Sequence, residues 1–111
     1  MKKKAANKIQ DLQFFGEFGG VNPSISDSST YTFLSAKTMS DTFEGNTEGC
    51  YLYSRHTNPS NLYLGEAIAA MENTESATVF GSGMGAITST LLQICKSGDH
   101  VVSSRTVYGG T

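Results

Sequence analysis

Residues 77 to 104 constrain this chain more than any other stretch. Ala77 to Phe80 is a short β-prone run, and the glycine turn Gly81-Ser82-Gly83-Met84-Gly85 follows at once. Met84, Ile87, Leu91, Leu92 and Cys95 then form one helical stripe, with Lys96 in the last turn and Gly98 just beyond, where a helix readily stops. His100 to Ser104 reads as a second strand. Strand, helix and strand at this spacing predict a βαβ unit, hence an α/β fold with a parallel sheet covered by helices.

A glycine turn between a strand and a helix is also a ready anion site. Backbone amides converge there, the helix dipole adds partial positive charge, and glycine lets a phosphate approach without a β-carbon in the way. Gly81-Ser82-Gly83-Met84-Gly85-Ala86 satisfies the dinucleotide pattern G-x-G-x-x-[GA], and Arg105 follows the next strand, where an arginine could meet a ribose 2′-phosphate. On these residues alone an NADP-type dinucleotide module using Gly81, Gly83, Gly85 and Arg105 stays open, as does a tight turn with no ligand. A dinucleotide domain usually carries the pattern on its first strand, whereas here a long stretch comes first and includes a second motif.

That second motif is Tyr53-Ser54-Arg55-His56-Thr57-Asn58-Pro59. In an extended segment Tyr53 and Arg55 point to the same side, where an arginine fork and a phenol suit a phosphate dianion. The bland alternative is a surface ion-pair partner beside a half-buried ring. Asn58-Pro59-Ser60 offers a cap and a proline at the first helical position, and Leu64, Ala67, Ile68 and Met71 then form an apolar stripe ending near Asn73. Near the other end Tyr108 precedes Gly109 and Gly110. Its ring could pack at a helix start or lie flat on a conjugated heterocycle.

The first half is less patterned. Phe14 to Asn22 mixes aromatics with glycines, and Ser24 to Thr32 is rich in Ser and Thr, which compete with helix formation. A short extended segment is expected around Tyr31-Thr32-Phe33. Met1 to about Gly49 reads as an arm with little core of its own, lying against another surface because its aromatics would otherwise be exposed.

Net charge is −2, from eight basic and ten acidic residues, which gives no general attraction to nucleic acid. Lys2, Lys3 and Lys4 are followed by no apolar run, so they read as a solvated tail rather than a signal peptide, and no stretch has the length of a membrane span. Cys50 and Cys95 are far apart in sequence and lack metal-ligand spacing, as do His56 and His100. They are expected as reduced thiols in a cytoplasmic protein, with Cys95 in a helix core and neither a metal nor a disulfide required.

Taken together and in this order, YSRHTNPS, SGMGAI and VYGGT, with NPSI-DSSTYTF upstream, strongly resemble the transsulfuration (Cys/Met metabolism) family of pyridoxal-phosphate enzymes. The resemblance runs from about Phe14 to Thr111. It implies the fold-type I, aspartate aminotransferase-like architecture: an N-terminal arm (1–56) contacting the neighbouring subunit, then the beginning of the cofactor-binding α/β domain (57–111). It further implies that Gly83 and Met84 give backbone N–H groups to the cofactor phosphate. Tyr108 would stack on the pyridine ring and assist proton transfer. Tyr53 and Arg55 would reach the phosphate of a neighbouring subunit, in a homodimer or a homotetramer made of two such dimers. Substrates of this class are sulfur amino acids or activated homoserines.

Two departures bear on chemistry. The family's Schiff-base lysine, and the aspartate that pairs with the pyridine nitrogen, match no residue up to Thr111, so this stretch alone is expected to be catalytically incompetent. An inactive truncated remnant is a further alternative on that ground. Methionine γ-lyases typically show YGCT where this chain has Tyr108-Gly109-Gly110-Thr111, so Gly110 leans toward the synthase, cystathionine lyase or sulfhydrylase branches.

Overall fold

The structure, a computed structural model, describes residues 4–12 and 16–111. It forms two compact units, Met1–Thr78 and Val79–Thr111. Four α-helices appear among the described residues: α1 (Ala5–Asp11), α2 (Ala36–Phe43) and α3 (Pro59–Glu72) in the first unit, and α4 (Gly83–Ile94) in the second.

Helix α3 organises the first unit. Asn58 caps it, its Oδ1 accepting the Ser60 N–H at 2.9 Å, with Pro59 in the first turn as predicted. At the other end Asn73 turns left-handed (φ 61°), which lets its own N–H and that of Thr74 return to the Ala69 carbonyl. The face this helix buries differs from the predicted stripe. Gly65, Ala67 and Ala69 are buried, while Leu64 and Met71 are exposed. At Gly65 the reason is a backbone that comes close. A β-carbon at Gly65 would stand 2.5 Å from the Ala77 carbonyl oxygen, so the chain returning after α3 lies directly on the helix.

The arm is more structured than its composition suggests. α1 packs on α3, and Lys8 Nζ donates to the Met71 carbonyl at 3.3 Å. α2 is capped by Ser35, whose Oγ accepts the Thr38 N–H at 3.1 Å, and carries a Lys37–Asp41 ion pair of 2.7 Å one turn apart. Of the predicted aromatic arm, Phe14 and Phe15 lie outside the described residues, as do Lys2 and Lys3 of the basic start. Phe18 is fully exposed and left-handed (φ 55°). The extended segment expected around Tyr31-Thr32-Phe33 is reduced to a single antiparallel bridge, Thr30 to Tyr53.

In the second unit Ser82 caps α4, its Oγ accepting the Gly85 N–H at 3.0 Å. The helix closes at Ile94, before the predicted Lys96: Cys95, expected in the helix core, is instead its extended, half-buried C-cap (φ −107°, ψ 145°), and Asp99 Oδ2 accepts the Lys96 N–H at 2.7 Å in the turn beyond. Gly98 is left-handed there (φ 97°). The runs expected as strands, 77–80 and 100–104, carry no strand pairing among the described residues. A strand holds its shape only when neighbours take up its N–H and C=O groups, and the described residues supply no such neighbours. Val101 and Val102 are correspondingly exposed.

Candidate functional site

The candidate anion site at the glycine turn is built by the cap of α4. A helix leaves its first N–H groups without intrahelical acceptors. Here the Ser82 hydroxyl takes that of Gly85 and the Ser82 carbonyl takes that of Ala86 at 3.1 Å. Among the described residues, no acceptor meets the N–H of Gly83 or Met84. Both residues are exposed, and nothing lies within 4 Å of where a β-carbon would sit on Gly81 or Gly83. Two unpaired amides, open space and a helix N-terminus suit a phosphate, and they are the two amides that the resemblance nominates.

The Tyr53–Arg55 pair, a candidate phosphate clamp, is built differently from the extended segment expected. The chain turns at Tyr53, whose carbonyl accepts the N–H of His56 at 2.9 Å and that of Thr57 at 3.1 Å. The turn still brings the two side chains together. Arg55 lies over the Tyr53 ring, 5.0 Å from its centroid, and the His56 ring meets the same tyrosine edge-on at 6.4 Å. Arg55 is exposed, and no carboxylate pairs with it among the described residues.

Ser54, between the two clamp residues, points into a polar knot. Its N–H donates to the Ser29 carbonyl at 2.9 Å, and its hydroxyl donates to the Ser28 carbonyl and lies 3.1 Å from the Tyr31 hydroxyl. Asn58, buried at 8% exposure, donates through Nδ2 to Ser54 Oγ (3.0 Å) and to the Ser26 carbonyl (3.1 Å). Ser60 Oγ in turn accepts the Ser26 N–H at 2.8 Å. The sequence read Asn58 only as a helix cap. The signal missed was the cluster of Ser24, Ser26, Ser28 and Tyr31 facing a second set, Ser54, Asn58 and Ser60.

Tyr108 is 82% exposed, in a turn closed by the Thr111 N–H on its carbonyl at 2.8 Å. Its ring leans over Gly110, where a β-carbon would stand 2.6 Å from Cε1. Arg105 lies in an exposed turn in which Ser104 Oγ accepts the Thr106 N–H at 3.1 Å. Cys50 is exposed, Cys95 is half-buried, and both are free thiols. Among the described residues, no group of three or more His, Cys, Asp or Glu side chains could hold a metal, and no helix is long and apolar enough to cross a membrane.

Residues 5–111 match the Cys/Met metabolism PLP-dependent enzyme family. The chain belongs to this family. Among curated relatives it is 49% identical over 100 residues to a methionine gamma-lyase of Arabidopsis thaliana, covering 87% of this chain and 23% of that protein. An O-succinylhomoserine sulfhydrylase of Pseudomonas aeruginosa is 43% identical over 83 residues, 75% of this chain and 20% of the relative. An L-methionine gamma-lyase of Treponema denticola is 35% identical over 107 residues, 96% and 26% respectively. The chain thus spans 20 to 26% of the length of these three relatives. Membership of this PLP-dependent family replaces the dinucleotide alternative, since the matched region takes in Gly81, Gly83, Gly85 and Arg105. The fold-type I, helical-arm architecture follows with the family.

Proposed function

We propose that the full-length protein is a pyridoxal 5′-phosphate enzyme of the transsulfuration type. It would act by elimination or replacement at the γ or β carbon of a sulfur amino acid or an activated homoserine. The observation that carries this is the pair of unpaired N–H groups at Gly83 and Met84, at the start of a helix whose cap satisfies the next two. When bound, the cofactor supplies the electron sink for the substrate's carbanionic chemistry.

Each residue of this chain then has a task. Gly83 and Met84 hold the phosphate by backbone amides. Arg55 forks onto its oxygens, and the Tyr53 hydroxyl donates one further hydrogen bond. The Tyr108 ring would lie against the pyridine ring, and its hydroxyl would be the group to hold or move a proton there. Tyr53 and Arg55 perform their task on the phosphate of a neighbouring subunit, which makes a homodimer the smallest complete unit and a homotetramer its doubled form. Two free thiols favour a reducing, cytoplasmic setting.

Gly110 leans away from methionine γ-lyases, yet the 49% identical relative bears that name and the 43% identical one is a sulfhydrylase. The proposal is tested by borohydride reduction of the full-length protein, followed by intact mass. One reduced pyridoxyl phosphate per chain is expected. A protein that acquires no adduct and no visible absorption band on titration with the cofactor is not this enzyme.

A further inference from the structure

Asn58 joins what the sequence keeps apart. It lies five residues beyond Tyr53, yet its amide group reaches the arm, the clamp turn and the start of α3 at once. Oδ1 takes the Ser60 N–H at 2.9 Å and so caps the helix. Nδ2 serves two other masters, the Ser26 carbonyl of the arm at 3.1 Å and Ser54 Oγ of the clamp turn at 3.0 Å. The Tyr31 hydroxyl stands 3.4 Å from the same nitrogen and 3.1 Å from Ser54 Oγ, which closes the knot.

The cap alone does not account for this side chain. Serine, aspartate or threonine would accept the Ser60 N–H nearly as well. Only an amide combines that acceptor with two donors aimed elsewhere. Asn58 is also the only buried polar residue among those described, so each unmade bond would carry a desolvation cost. The bonds it makes converge on Ser54, the residue between Tyr53 and Arg55. Ser54 is held on three sides, by Ser28, Ser29 and Asn58, while its two neighbours stay exposed.

We infer that Asn58 is a positioning residue for phosphate recognition. Through Ser54 it fixes the turn that presents Arg55 and Tyr53, and it ties that turn to the docked arm at Ser26. Arm docking and clamp geometry then form one cooperative unit: a loosened arm frees the turn, and the arginine fork loses its aim. This rests on the proposed role of Tyr53 and Arg55 at the cofactor phosphate. It goes beyond that role by assigning the clamp's geometry to a residue that touches no ligand.

The test uses the full-length protein and two ligands, pyridoxal 5′-phosphate and phosphate-free pyridoxal, titrated into the apoprotein by absorbance. Asn58→Ser keeps a helix cap and removes both donors, and Ser54→Ala cuts the same link from the other side. Each is expected to weaken pyridoxal phosphate by about tenfold, the scale of one hydrogen bond to a charged group. Pyridoxal affinity should stay unchanged. In an Arg55→Ala background, Asn58→Ser should weaken the phosphate ligand no further, because the group it aims is gone. The inference falls if both ligands weaken equally, if the two substitutions add in full, or if Asn58→Ser and Ser54→Ala bind like the parent. In each of those cases, loss of phosphate affinity in Arg55→Ala alone leaves the proposed function standing. A parent protein that binds neither ligand overturns both.

Discussion

The guanidinium carbon of Arg55 stands 5.0 Å from the centre of the Tyr53 ring. Stacking restricts the long arginine side chain before any ligand arrives, so less entropy remains to be lost when its fork closes on an anion. The ring is itself held at its edge by His56. The clamp is therefore a small stack on a tight turn, with its charge facing solvent.

Arg55→Lys should reduce the affinity of the full-length protein for pyridoxal 5′-phosphate by about tenfold or more, although charge is conserved. Lysine lacks the fork and stacks poorly on a ring. Tyr53→Phe keeps the stack and removes only one hydroxyl, so its loss should be smaller, a few-fold. Equilibrium titration of the apoprotein gives both constants. A lysine variant that matches the parent would mean that only the charge matters and the stack is incidental.

Gly65→Ala should destabilise the fold even though alanine is the better helix former. The helix-propensity gain is about 1 kcal/mol. Against it stands a β-carbon 2.5 Å from the Ala77 carbonyl oxygen, a backbone atom that cannot swing aside as a side-chain tip could. Overpacking of this kind costs about 1 to 3 kcal/mol, so the clash decides the sign. Thermal unfolding followed by circular dichroism should show a lowered midpoint. An unchanged or raised midpoint would mean that the segment after α3 is free to lift away.

Ser82→Ala removes the acceptor of the Gly85 N–H and should cost about 1 kcal/mol by denaturant titration, whereas Ser82→Gly should cost only a few tenths. The alanine variant also leaves Gly85 as a third unpaired amide beside Gly83 and Met84. Phosphate affinity should therefore hold steady while stability falls. A parallel loss of both would place the serine hydroxyl itself on the ligand.

Legibility in the sequence followed the strength of local signals. Asn58-Pro59 opened α3 as predicted, because caps and proline act within one turn of the chain, and α4 begins inside the predicted glycine turn, although its Ser82 cap was not anticipated. Helices α1 and α2 were missed. The residues of α2, AKTMSDTF, are mostly polar, and its stability is local: the Ser35 cap and the Lys37–Asp41 pair. The predicted stripe of α3 held at Ala67 but not at Leu64 and Met71, because periodicity favours large residues, whereas Gly65 and Ala69 are buried and backbone crosses close at Gly65. The predicted strands lack pairing because strand structure is conferred by neighbours, not by the run itself. At the candidate site, the glycine turn and the Tyr53–Arg55 pair were legible as residue types suited to an anion, with Gly83 and Met84 nominated by the family resemblance. The knot around Asn58 was not, since its members are scattered from Ser24 to Ser60 and no short-range rule joins them.

Gly110 offers the sharpest separation of fold from chemistry. A β-carbon there would come within 2.6 Å of Tyr108 Cε1 and 3.2 Å of Cδ1, so any other residue must displace the ring. The obstacle is the end of an exposed side chain, at 82% accessibility, and it can swing without disturbing backbone. Gly110→Ala should therefore change stability by no more than about 0.5 kcal/mol, the range of ordinary surface substitutions. If Tyr108 lies on the pyridine ring, however, the displaced tyrosine must alter the electronic surroundings of the bound cofactor. The visible absorption maximum of the full-length holoprotein should shift and turnover should fall, while the dissociation constant for the cofactor, set by the phosphate contacts, changes little. A spectrum identical to the parent's, with the melting temperature unchanged, would mean that the ring's position over Gly110 does not persist with cofactor bound. A fall in stability with no spectral change would make Tyr108 a packing residue and remove it from the site.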